Sequence, residues 1–159
     1  MIKVSFKEPS YKKTERFNDK VTIVTLTGKT KLPKKLVHAM PMGFYDWLFK
    51  HTNPVIEYGY EGDITITAKG KTVRSDRDKD NPVLAERIAE SKAKLKIYIF
   101  IHSFISKYVL EYNKLITGNN GLMMHEGDVT DDSLFGMADK YQYFITTEKE
   151  HLESLISQS

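Results

Sequence analysis

The chain contains no cysteine. That excludes disulfides, thiolate metal sites and thiol nucleophiles, and it fits a reducing compartment. Long hydrophobic runs are missing too. The longest near-apolar stretch, Ile97 to Phe104, falls far short of the roughly 20 residues that cross a bilayer. The opening residues MIKVSFKEPS interleave charge with apolar side chains, so no secretory leader is expected and the expected location is cytoplasmic. Arginine is scarce, and tryptophan occurs once, at Trp47. No H-E-x-x-H spacing, no histidine pair at helical spacing, no internal repeat and no low-complexity tract occurs. Gly-Lys-Thr appears at 28–30 and 70–72. A phosphate loop needs a glycine five residues earlier and a helix directly after. Ile23 and Thr65 occupy those earlier positions, so both triplets read as turns, and no cofactor is expected.

What is present is enough apolar material for a core. Hydrophobic residues make up 40% of 159, which bounds the chain as a single domain, 1–159. Charge is distributed unevenly. Residues 1–35 carry ten Lys/Arg and three acids, whereas the remaining 124 carry 14 basic and 18 acidic groups. A basic leading segment on a mildly acidic body points to an anionic partner.

Periodicity predicts the elements. Residues 2–6 alternate as a short strand, and 8–20, polar and charged, reads as a mobile basic loop. VTIVTLT at 21–27 is a β-branched strand. Pro33 opens a short helix to Met40, and MGFYDWLFKH forms a second that stops before Asn53-Pro54. VIEYGY at 55–60 reads as a strand; ITITAK and KTVRS flank Gly70 as a hairpin, with Ile64 and Ile66 on one face and Thr65 and Thr67 on the other.

Asn81 and Pro82 supply a cap and a first helical residue. The helix that follows carries an apolar stripe of Leu84, Ile88, Leu95, Ile99, Ile105, Val109 and Ile116, and Gly118 stops it. Unbroken over 82–117 it is about 54 Å long, more than the roughly 40 Å width of a globule this size. Either it breaks near Lys96 or one end projects toward a partner or a second copy. Val129 to Leu134 starts another helix, Tyr141 to Thr146 suits helix or strand, and Thr147 with Glu150 forms a capping box for a last helix. The expected fold is α+β: N-terminal antiparallel strands and a hairpin packed against a long central helix and C-terminal helices.

Three groups of residues carry chemistry. Asp76, Asp78 and Asp80 occupy positions 1, 3 and 5 of a calcium-type loop, but Asn81 replaces the glycine at position 6 and Arg87 stands where the bidentate glutamate belongs. His125, Glu126, Asp128, Asp131 and Asp132 form a second oxygen-rich cluster, though the last two also suit a helix start. Either cluster is the basis for a metal-dependent hydrolase reading, and whether a metal binds is left open. His102 lies on the apolar face, with Ser106 as a candidate hydrogen-bond partner. The cluster Phe44, Tyr45, Trp47, Leu48 and Phe49 reads as core or as a partner-binding surface, with Trp47 its best anchor. Finally, Lys12, Lys13, Arg16, Lys34 and Lys35, with Tyr11 and Phe17 interleaved among the first of them, suit phosphate neutralisation and base stacking.

The segment KGKTVRSDRDKDNPVLAERIAESKAKLKIY, residues 69–98, resembles a pattern recurrent in small phage-encoded proteins of unassigned function. In them a strand ending at a Lys-Gly turn precedes an Asp-rich segment and an IAxxxAKxK helix. The resemblance implies a phage or mobile-element origin, hence a host-cell cytoplasm; no function and no catalytic residue carries over from it. The leading expectation is a non-catalytic accessory protein that binds nucleic acid or nucleoprotein through its basic N-terminal face. The alternative is contact with a host or virion protein, as structural component or inhibitor.

Overall fold

Two long β-branched strands form the centre of the molecule. In a computed structural model, which describes residues 5–6, 11–31, 42–59, 63–76, 78–117 and 132–158, the elements run β1 (Ser5–Phe6), β2 (Tyr11–Phe17), β3 (Val21–Lys31), α1 (Met42–Phe49), β4 (Val55–Tyr58), β5 (Asp63–Val73), α2 (Pro82–Thr117) and α3 (Asp132–Ser157). All strand pairings are antiparallel. β3 and β5 pair along their whole length, from Val21–Val73 to Lys31–Asp63. β4 borders β5, while β1 and β2 border the opposite edge of β3. The fold is α+β, with its strands in the N-terminal half.

One face of the sheet is packed and the other is not covered by any described element. Alternation along β5 puts Ile64, Ile66 and Ala68 in the core, while Thr65 and Thr67 point the other way, half-buried. β3 contributes Thr22, Val24 and Leu26 to the same packed face. α2 lies across it. Along β5 the packed residues shrink from Ile64 and Ile66 to Ala68 and Gly70, and the helix descends accordingly. A methyl group at Gly70 would sit 1.8 Å from the Ala89 carbonyl oxygen and 2.7 Å from the Ala93 nitrogen. The glycine therefore marks a point where two backbones nearly touch. Beside it, the Thr72 hydroxyl donates to the Ala85 carbonyl at 3.0 Å.

At the other end the gap is wide and aromatic side chains fill it. Phe44 of α1 packs on Phe104 with ring centroids 5.8 Å apart, and Trp47 stacks on Phe100 at 5.9 Å. α3 lies against the side of α2 away from the sheet, with Tyr98 against Tyr141 and Phe144. Ser91, almost fully buried, donates to Glu148 Oε1 at 2.6 Å. Each large aliphatic removed from water at these seams stabilises the fold by about 1.5–3 kcal/mol.

Several expectations change. Of the supposed mobile loop 8–20, Tyr11–Phe17 is a strand in seven-residue register with β3; pairing with a β-branched neighbour outweighs its polar composition. Its turn uses Asn18 and Asp19 at positive φ, 53° and 57°, the backbone that tight hairpins require. There is no hairpin at Gly70: β5 runs through it unbroken, because the glycine serves helix approach and not chain reversal. α2 is continuous across Lys96. Ile99, placed on the apolar stripe by spacing, is 42% exposed; the helix buries one arc on the sheet and another on α3, and Ile99 falls outside both. Residues 141–146 are helical, and Thr147 lies inside α3 and not at a cap. The helix over 33–40 and the segment 118–131 lie outside the described residues. Asn81 does cap α2, its Oδ1 accepting from the Leu84 N–H at 3.1 Å.

Candidate nucleic-acid interface

The period of two along β2 divides its cations between the two faces of the sheet. Lys12, Thr14 and Arg16 lie opposite Leu26, Val24 and Thr22, on the helix side. There Lys12 reaches Glu86 at 2.8 Å and Glu90 at 3.0 Å, and Thr14 donates to Glu86 at 3.1 Å. The two carboxylates hold the Lys12 ammonium above the ordinary lysine pKa by hydrogen bonding, against a smaller opposing effect of burial. Lys12 in turn draws Glu86 below the ordinary glutamate value, burial again opposing. Arg16 binds Asp80 at 2.8 Å. Both cations are committed to acids within the fold.

Tyr11, Lys13, Glu15 and Phe17 face the other way, onto the uncovered side. Direct register extends them into rows across the sheet. Phe17, Val21 and Val73 form one row; Glu15, Ile23 and Lys71 the next; then Lys13, Thr25 and Lys69; then Tyr11, Thr27, Thr67 and Val55; and finally Lys29, Thr65 and Glu57. Tyr11 is 57% exposed and Phe17 48%. Six residues separate the two rings along the strand, about 20 Å, with the lysine rows between them. Lys13, Lys29, Lys69 and Lys71 are all exposed. Glu15 partly offsets Lys13 at 3.8 Å, and Glu57 and Asp63 lie toward the β4 side.

The free half of the β5 edge is protected. Lys96 and Lys92 donate to the carbonyls of Lys69 and Lys71 at 2.7 and 3.0 Å, and Asn53 exchanges two hydrogen bonds with the Lys69 backbone. Charged side chains and a substitute for strand pairing discourage addition of another strand there. Burial, and secondarily Lys92, lowers the Lys96 pKa.

The remaining sequence-derived candidates are dispersed. Trp47 is half-buried and packs on the core, and its carbonyl lies 2.9 Å from His51 Nδ1. Lys34, Lys35, His125, Glu126 and Asp128 lie outside the described residues. The three carboxylates of the 76–80 loop do not converge: Asp76 pairs with Lys20, Asp78 accepts from Ser75 and Asp80 from Arg16. Among the described residues no three acidic or histidine side chains are placed to hold a metal ion. The His102 carbonyl, not its ring, engages Ser106, at 3.0 Å. Sequence reasoning missed Lys29, Lys69 and Lys71; extending strand parity from β2 across β3 to β5 is the signal that finds them. Among described helices none is long and apolar enough to cross a membrane. In comparisons with known proteins, no family model, no curated protein and no solved structure matches the chain.

Proposed function

We propose that this protein is a non-catalytic binding protein whose uncovered sheet face receives single-stranded nucleic acid, free or within a nucleoprotein. The observation that carries this reading is the interleaving of exposed Tyr11 and Phe17 with Lys13, Lys69 and Lys71 on one flat face. Rings offer every base a stacking surface, and ammonium groups between them meet the phosphates. Relative to the sequence expectation, the contact set shifts: Lys13 stays, Lys29, Lys69 and Lys71 join it, and Lys12 and Arg16 leave it because they point to the helix side of the sheet.

Fluorescence anisotropy with a labelled single-stranded oligonucleotide, titrated at several salt concentrations, tests the proposal. Four lysine–phosphate contacts predict a log–log salt slope of about −3. Tyr11→Ala or Phe17→Ala each weakens binding about tenfold, the size of one lost stacking contact. Lys13→Glu with Lys69→Glu weakens binding further and flattens the slope, while Lys12→Ala changes the slope little. Absence of binding at low salt, or indifference to the Lys13/Lys69 pair, refutes the reading.

A further inference from the structure

On the opposite side of the sheet from the lysine rows lies a cleft of about 600 Å³. It opens where the β2–β3 turn, the end of β5, the 74–81 loop, the start of α2 and the end of α3 meet. Its walls differ in character. Leu84, Ile88 and Ile156 give an apolar side; the other is charged, with five cations, Arg16 and Arg74 among them, set against the three acids Asp19, Asp78 and Asp80. The two guanidinium groups are held close together: Arg16 and Arg74 both donate to the Asp19 carbonyl, at 3.3 and 3.2 Å. Asp80 lies between them, 2.8 Å from one and 3.9 Å from the other. One carboxylate thus serves two guanidinium groups; Arg74 also donates to the Asp78 carbonyl at 2.9 Å, and each guanidinium still retains N–H donors beyond these contacts.

Thr22 supplies the second observation. It lines the cleft and sits directly between Arg16 and Thr72 in the register. The residue is 1% exposed, yet its hydroxyl makes no hydrogen bond to any described residue, whereas the neighbouring Thr72 hydroxyl is satisfied by Ala85. A buried hydroxyl left unpaired costs the fold about 1–3 kcal/mol. Valine has the same shape without that cost. A threonine beside a guanidinium pair and an apolar wall has the chemistry of a ligand seat.

We infer that this cleft binds a small amphipathic anion, a phosphate or carboxylate head on an apolar body. The head meets Arg16, Arg74 and the Thr22 hydroxyl, and the body lies along Leu84, Ile88 and Ile156. This site is independent of the sheet face.

The test is a fluorescence titration with 1-anilinonaphthalene-8-sulfonate, using N-phenyl-1-naphthylamine as the same body without the anionic head. The sulfonate is expected to bind at least about fivefold more tightly than the neutral compound. Ile156→Glu, at a position 48% exposed, adds a carboxylate to the rim and weakens sulfonate binding about fivefold or more. Thr22→Val weakens it about threefold while raising the thermal midpoint of the free protein. Lys13→Glu, on the far face, leaves it unchanged. Displacement by hexyl phosphate or by hexanoate identifies the head group. The inference is overturned if the neutral compound binds equally well, if Ile156→Glu or a folded Thr22→Val binds within twofold of the parent, if Lys13→Glu weakens binding as much as Ile156→Glu, or if neither competitor displaces the dye. Should Thr22→Val not fold, Ile156→Glu decides the matter.

Discussion

Replacing Gly70 with alanine places a methyl carbon 1.8 Å from the Ala89 carbonyl oxygen and 2.9 Å from its carbonyl carbon. Both are backbone atoms, so no side-chain rotation relieves the clash. To restore ordinary contact, α2 must retreat by about 1.5 Å at this point, and a gap that size forfeits half or more of the local dispersion attraction. Overpacking of this kind costs about 3 kcal/mol. With 159 residues at about 2.1 cal/mol/K each, the unfolding entropy is about 0.33 kcal/mol/K, and the midpoint falls by about 9 °C. The ordinary expectation has the opposite sign: alanine for glycine inside a strand stabilises by about 0.5–1 kcal/mol, through the unfolded chain. Gly136 is the matched control. It lies in α3, and an added methyl there meets nothing within 4 Å, so Gly136→Ala raises the midpoint by about 2–3 °C. Thermal unfolding followed by circular dichroism separates the cases. A Gly70→Ala protein as stable as its parent would refute the close-approach argument.

Two further perturbations follow from the packing of α2. Ser91→Ala removes the hydroxyl that Glu148 accepts from at 2.6 Å and costs about 1.5 kcal/mol in urea unfolding; no loss would show that Glu148 finds another donor. Lys12→Ala tests the ion pairs over the helix. Glu86 titrates below the ordinary 4.5 when folded, so its stabilisation is complete above that pH and lost as pH falls through the lowered value. Lys12 titrates above 10.5, so its share is complete below that pH and lost as pH rises through the raised value. The deficit of the variant is therefore greatest near neutrality and vanishes in acid. Because the lysine and Glu86 side chains are 39% and 37% exposed, it stays under about 1 kcal/mol and shrinks with salt. A deficit that persists at pH 2 would assign the loss to packing.

Local signals carried much of the architecture. Asn81-Pro82 announced the start of α2, and β-branched alternation announced β3 and the two faces of β5. Composition misled at Tyr11–Phe17, where lysine and glutamate conceal a strand whose stability comes from a neighbour ten residues away in the chain. Gly70 misled for a related reason: glycine permits a turn and permits close approach, and only the position of the helix tells them apart. The basic segment was legible as a charge excess. Its division into committed and free cations was not, since Glu86, Glu90 and Asp80 lie more than 60 residues from their partners.

Strand β2 therefore works as a sorting device with a step of one residue. Inserting a single amino acid ahead of Lys12 without moving the turn leaves every downstream partner in place, whereas an insertion between Phe17 and Asn18 turns the strand over. Lys13 and Glu15 would then stand at the sites facing Glu86 and Glu90, Phe17 would take the place of Arg16 beside Asp80, and the uncovered side would display Lys12 and Arg16. The molecule would keep its net charge and lose the arrangement that gives that charge a direction.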